Sequence, residues 1–361
     1  MLKNLIKCGA FLSLLTPLIV AKTTFYPFIF SKTIYFQILV EILFILWLFS
    51  KPKLKWTKIN ISLLIYFGVL FLATIFSLDF LNSFWSSQER MTGFFNLIHL
   101  GIFFLIISST FGKKDFLWLF RFSLLVSIAV SIWSLLDWQA RLQGPLGNPG
   151  FLAQYLLFNL FFAIYWFLDT PKIYWRLIYF LIFLLDFAVF YLTYTRGALL
   201  GFFIGFLSLI LARFWKKNRK KAGLLLTLMI LVGFGAILGF QKARFLAGSE
   251  ARIISWGISR NAFKERPILG WGPENYILGF AKHYNPEFSE DKWFDKAHNI
   301  VFEQLVGGGI LLLFAYLAIY VSAFSPILLA YFITNLFWLE VTSSLILFYI
   351  VLAWQDKNNY G

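Results

Sequence analysis

Apolar runs near 5 to 21, 33 to 49, 59 to 77, 93 to 110, 116 to 136, 150 to 168, 175 to 193, 197 to 214 and 222 to 240 follow one another with only short polar breaks. Each comes close to the ~20 residues an α-helix needs to cross hydrocarbon. Inside lipid every backbone N–H and C=O must be satisfied within the segment or across a closed barrel, and runs of this length select helices. With 60% hydrophobic and only 14% charged residues, the chain lacks the polar surface to cover a water-soluble globule. The fold class expected is all-α: one polytopic membrane domain over residues 1–361 with 11 to 12 transmembrane helices.

One water-facing interruption stands out, residues 241–299, between the ninth and tenth spans. It is expected to hold short helices and most of the polar chemistry. After it comes a glycine-rich stretch, G-G-G at 307 to 309, and an apolar run to about Phe324. The remaining apolar segment, 326 to 354, is too long for one ordinary span and too short for two, which leaves the total at eleven or twelve.

Charge sets the orientation. The formal charge of +15 is carried by Lys and Arg between apolar runs rather than on one contiguous face, a pattern that fits membrane lipid headgroups and argues against a nucleic-acid partner. K-P-K-L-K-W-T-K (51 to 58), G-K-K (112 to 114), P-K-I-Y-W-R (171 to 176) and R-F-W-K-K-N-R-K-K (213 to 221) fall at alternate connections and are expected on the cytoplasmic side, with Lys3 and Lys7. By alternation the 241–299 loop is extracytoplasmic. The apolar N-terminus has no small-residue cleavage site after it and reads as a retained first span. The single cysteine, Cys8, excludes an internal disulfide and any cysteine metal cluster.

Few residues in this chain suit chemistry. Arg196, in Y-T-R-G-A-L-L-G, stands at the junction of two apolar runs, where a guanidinium is an interfacial anchor or a ligand for phosphate oxygens. Arg252, in A-R-I-I-S-W, could join it to form a socket for a diphosphate. His298, beside Asn299 in A-H-N, can take a proton near neutral pH as a general base, or serve only as a cap or polar contact. Arg90, in S-S-Q-E-R-M-T-G, lines the same cavity or anchors an interface; Asn299 is a further candidate for the lining. G-P-L-G-N-P-G gives a rigid start to the helix after it and a possible anion-facing helix end. G-W-G-P-E (270 to 274) reads as a turn, not a nucleotide motif. His99, His283 and His298 are spaced too far apart for a metal site, and no Walker, G-x-S-x-G or dinucleotide motif occurs, so no metal and no cofactor are expected.

Taken in order, S-F-W-S-S-Q-E-R-M-T-G, G-P-L-G-N-P-G-F-L-A-Q-Y, Y-T-R-G-A-L-L-G, A-R-I-I-S-W through R-P-I-L-G-W-G-P-E-N-Y, A-H-N-I-V-F-E-Q-L-V-G-G-G-I-L and A-Y-F-I-T-N-L-F resemble the O-antigen ligase and O-antigen polymerase superfamily of bacterial membrane glycosyltransferases. The resemblance implies a metal-independent enzyme that moves a glycan from an undecaprenyl diphosphate carrier to a hydroxyl of a glycan, lipid or protein acceptor at the outer face of the inner membrane. It implies that Arg196 and Arg252 hold the diphosphate and that His298 activates the acceptor. One departure from the family pattern is the short S-A-F-S-P connection before A-Y-F-I-T-N-L-F, which puts the C-terminal topology in question. A transporter or flippase of lipid-linked sugars is the alternative, but it would concentrate charge at mid-membrane on broken helices.

Overall fold

The computed structural model describes residues 2–217, 250–285 and 293–360, and all regular structure in them is helical. The helices are α1 (Leu2–Ser13), α2 (Phe30–Phe49), α3 (Lys58–Ile75), α4 (Phe80–Trp85), α5 (Phe94–Thr110), α6 (Lys113–Leu136), α7 (Pro149–Asp169), α8 (Ile173–Leu192), α9 (Arg196–Lys217), α10 (Glu250–Glu265), α11 (Tyr276–His283), α12 (Ile300–Ser322), α13 (Pro326–Asn335) and α14 (Thr342–Tyr360). Seven of them, α2, α3, α6, α7, α8, α9 and α12, are long and apolar enough to cross a membrane, and α5 and α13 are shorter apolar helices. The expected ninth span, 222 to 240, lies outside the described residues, as do 241–249 and 286–292 of the long loop.

The described segments sort into two ends. At one end, Thr57 in the 51–58 connection bonds Asp356 of α14, and Lys7 of α1 pairs with Asp115 at the start of α6 at 2.8 Å. At the other end meet the 76–93, 137–149, 266–285, 293–299 and 336–341 connections. There the Leu78 amide donates to the Trp271 carbonyl (3.2 Å), and Lys32 donates to the carbonyls of Ile19 (2.8 Å) and Pro145 (2.7 Å).

Two elements depart from the sequence expectation. The first run breaks at Ser13: α1 is about 18 Å long, and Pro17 opens a 3-10 turn, Thr16–Leu18, instead of continuing the helix. The last run also divides. Half-helix α13 lies against α9, where Gly201 and Gly205 let Thr334, Ala330 and the Pro326 carbonyl approach closely. Helix α14 then runs through the centre of the bundle, buried from Leu345 to Ala353. It packs on α5, α6 and α7, so the chain's final helix is core, not a peripheral anchor. An all-round apolar sequence is what a central helix requires. By contrast Ile38, Ile42, Ile45 and Phe49 of α2 and Leu177, Leu181 and Leu184 of α8 point outward, the apolar belt of a membrane protein.

The most consequential local feature is a break in α12. At Gly309 the backbone takes φ 67°, ψ −166°, a region open essentially only to glycine. The carbonyl of Val306, which an unbroken helix would pair with the Ile310 amide, instead accepts from Trp271 at 2.7 Å. Ile310 turns to the Pro267 carbonyl (2.8 Å), and Gly272 donates to the Gly307 carbonyl (3.0 Å). The R-P-I-L-G-W-G-P stretch is therefore a strap sewn into the helix ladder. A Cβ on Gly309 would stand 2.2 Å from the Ile268 carbonyl oxygen, and one on Gly270 would stand 2.4 Å from that of Val306. Gly309→Ala should cost roughly 3 kcal/mol and lower the apparent melting temperature in detergent by about 5 °C or more. Gly68→Ala, where a Cβ meets nothing within 4 Å in the middle of α3, should be neutral or slightly stabilising.

Candidate active site

His298 sits in a left-handed backbone conformation, φ 49°. Non-glycine residues pay for that conformation and hold it only where their surroundings fix it. Here both neighbours are tied down. Asn299 N-caps α12, its side chain accepting from the Val301 (2.9 Å) and Phe302 (3.4 Å) amides. Glu303 reaches back to the Ala297 amide at 2.5 Å, and Trp256 Nε1 donates to the Ala297 carbonyl at 3.1 Å. Asn299 is thus a cap that positions the turn before α12.

Helix α10 brings the second predicted residue. Arg252 and Trp256 are four residues apart and share one face, while Ser255 and Ser259 on the next face bond the buried Tyr276 hydroxyl at 2.8 and 2.9 Å. With Trp256 held on Ala297, the Arg252 guanidinium lies 5.9 Å from the ring of Trp338, in the connection between α13 and α14. The His298 ring is 5.8 Å from the same indole and 5.7 Å from Phe294. Trp338 therefore has the imidazole and the guanidinium around it, and it also covers the start of α7. A Cβ on Gly150 would stand 2.0 Å from the indole, so that helix end meets Trp338 instead of an open anion site.

Arg196 opens α9 at the same end, exposed, one residue before Gly197; a Cβ there would stand 2.7 Å from Phe337 Cβ, the residue preceding Trp338. Arg90 forms a bidentate pair with Asp295, Nε to Oδ2 at 2.7 Å and Nη2 to Oδ1 at 3.0 Å, three residues before His298. The pair outweighs burial and raises the Arg90 pKa, while Asp295 is held below the usual carboxylate range.

Electrostatics keep His298 neutral. Burial and then the cationic Arg252 and Arg90 depress its pKa to about 4, with Asp295 only partly opposing. Among the described residues, its buried Nδ1 and the Trp338 Nε1 have no hydrogen-bond partner. An unprotonated imidazole beside a fixed cation can accept a proton from a hydroxyl while the cation receives an anion.

Sequence reasoning missed a set of residues next to this pair. Glu274 accepts from Lys296 (2.5 Å), Thr92 (2.9 Å) and Ser86 (2.8 Å). Burial alone would push the Glu274 carboxyl up, but Lys296 outweighs it and lowers the pKa. Glu303 lies 4.0 Å from Lys296, and Glu340 accepts from Tyr316 (3.0 Å) and Asn335 (3.2 Å). Glu340 carried a usable signal: it is the one charged residue in the apolar stretch 326 to 354. Arg260 and Lys264 are exposed, and Arg266 lies 5.8 Å from the Trp271 ring. His99 is a hydrogen-bonded side chain of α5, 2.6 Å from the Phe95 carbonyl and 3.2 Å from Glu41.

The O-antigen ligase family model matches residues 178–317, which run from α8 into α12 and include Arg196, Arg252, His298 and the glycine break. That stretch is similar to an O-antigen ligase domain. No curated protein matches the chain. The ligase domain covers less than half of the sequence, and Arg90, Trp338 and Glu340 lie outside it, supplied by the helices on either side.

The electrostatic reading predicts a titration. With three histidines in the chain, His298 can be assigned by nitrogen-15 NMR from a His298→Gln difference spectrum. It should titrate near 4, and Arg252→Gln should move it up toward 6.5, the ordinary value, because one repelling charge is gone. A wild-type value at 6.5 would contradict the arrangement.

Proposed function

We propose that the protein transfers a glycan from an undecaprenyl diphosphate carrier to an acceptor hydroxyl, at the extracytoplasmic face of the bacterial inner membrane. The observation that carries this reading is the meeting of Arg252 and His298 on Trp338, with the imidazole held neutral. It is supported by the O-antigen ligase domain and the apolar belt around the bundle.

In the proposed step the acceptor oxygen attacks the anomeric carbon and its proton passes to His298. The bond from that carbon to the phosphate oxygen breaks, and its electron pair leaves on the diphosphate. Arg252, joined by Arg196 at the start of α9, neutralises the charge developing there. Fixed cations in a site with little water do this more effectively than cations in solution. Direct displacement from the face opposite the leaving group inverts the anomeric centre, and no covalent glycosyl-enzyme is needed. The basic end is cytoplasmic in this reading, and the end bearing His298 faces outward.

The reading is tested with purified protein in proteoliposomes supplied with an undecaprenyl diphosphate-linked oligosaccharide and a panel of glycan, lipid and protein acceptors. One acceptor should gain sugar with inverted configuration. His298→Ala should reduce transfer by about 10²- to 10⁴-fold while the lipid diphosphate still binds. Arg252→Lys should weaken both binding and transfer, since a point charge does not replace the planar fork. Wild-type transfer by His298→Ala would remove the imidazole from the mechanism.

A further inference from the structure

A cavity of ≈ 80 Å³ lies beside the His298 site and shares Trp338 with it. Its polar walls include Arg90, Glu274, Lys296, Glu303, Gln304 and Glu340, and its aromatic walls are Tyr66, Phe151 and Trp338. Arg196, Arg252 and His298 do not line it.

The polar groups are unevenly matched. Arg90 is taken by Asp295, and Lys296 by Glu274 at 2.5 Å. Glu303 accepts from the Ala297 amide at 2.5 Å but has Lys296 only at 4.0 Å, and Glu340 is held by neutral donors, Tyr316 and Asn335. Among the described residues no ion pair forms to Glu340. Gln304 is 8% exposed, and its Oε1 has no hydrogen-bond partner although it lies on the cavity wall. Buried acceptors left without donors are costly unless a ligand or water supplies the protons. The cavity therefore offers one unmatched acceptor and two carboxylates without a close cation, among three aromatic rings, with its cations already engaged. That combination rejects an anion and suits a neutral molecule with many hydroxyl donors and an apolar ring face.

We propose that this cavity is a monosaccharide subsite, which takes one terminal sugar of the acceptor, its hydroxyls donating to Gln304, Glu303 and Glu340. The volume, room for several water molecules, fits a single sugar ring rather than an oligosaccharide. The assignment rests on the glycan-transfer reading above and adds to it which wall holds the acceptor. Trp338 is the shared partition: Arg252 and His298 lie around the indole, and the sugar bound against it presents one hydroxyl toward the imidazole.

The test uses the full chain in lipid nanodiscs and two probes on the same samples. The first is a panel of methyl hexopyranosides and methyl N-acetylhexosaminides followed by saturation-transfer NMR; the second is undecaprenyl diphosphate. At least one glycoside should bind. Glu340→Gln and Gln304→Leu should each weaken it roughly tenfold while leaving undecaprenyl diphosphate binding unchanged. If Glu340→Gln fails to fold, Gln304→Leu alone decides. A wild-type protein that binds undecaprenyl diphosphate but none of the glycosides overturns the subsite, and so do folded variants that bind glycoside as the wild type does. A wild-type protein that binds glycoside but not undecaprenyl diphosphate overturns the donor reading and leaves the subsite standing.

Discussion

Three backbone hydrogen bonds between the 267–272 strap and the break in α12 hold the His298 end of this protein together. A helix interrupted inside a membrane protein loses ladder bonds that lipid cannot replace, so the break persists only because another stretch of backbone supplies the missing donor and acceptor. Trp271 and Gly272 provide the donors and Pro267 the acceptor, and glycines at 270 and 309 let the two chains approach without a Cβ between them. The first turns of α12, with Asn299, Glu303 and Gln304, are thereby set at a fixed angle. The strained His298 is carried with them.

From this anchor the site assembles through one indole. Trp338 is supplied by the connection between α13 and the central helix α14, Arg252 by α10 and His298 by the turn before α12. The two polar groups come from within the O-antigen ligase domain, whereas the surface they meet on comes from the helices beyond it. This division gives the C-terminal helices a role that neither their length nor their hydropathy suggests. Buried from Leu345 to Ala353, α14 gives the connection that carries Trp338 and Glu340 a rigid base, which a site stabilising charge would need.

Much of the architecture was legible in the chain because hydropathy and membrane thickness speak the same language: most of the apolar runs became helices. His298 and Arg252 were legible because charged or titratable side chains are scarce between apolar runs. Trp338 was not, since a chain with 14 tryptophans and 46 phenylalanines gives one more aromatic residue no distinguishing pattern. The role of G-W-G-P-E was half visible. It reads locally as a turn, but its partner, G-G-G, lies more than thirty residues along, and only the fold brings them side by side. The broken first span and the central last helix were hidden for a related reason: where a helix ends and whether it meets lipid or protein depend on neighbours that hydropathy does not name.

The central claim is that an anionic leaving group and a proton acceptor are handled on adjacent sides of Trp338. The most direct measurement is a cryo-electron microscopy map of the protein with undecaprenyl diphosphate bound. The account predicts diphosphate density within hydrogen-bond distance of the Arg252 guanidinium, beside the Trp338 indole and at the same end of the bundle as His298. Diphosphate density at the basic end, near Thr57 and Asp356, would contradict it.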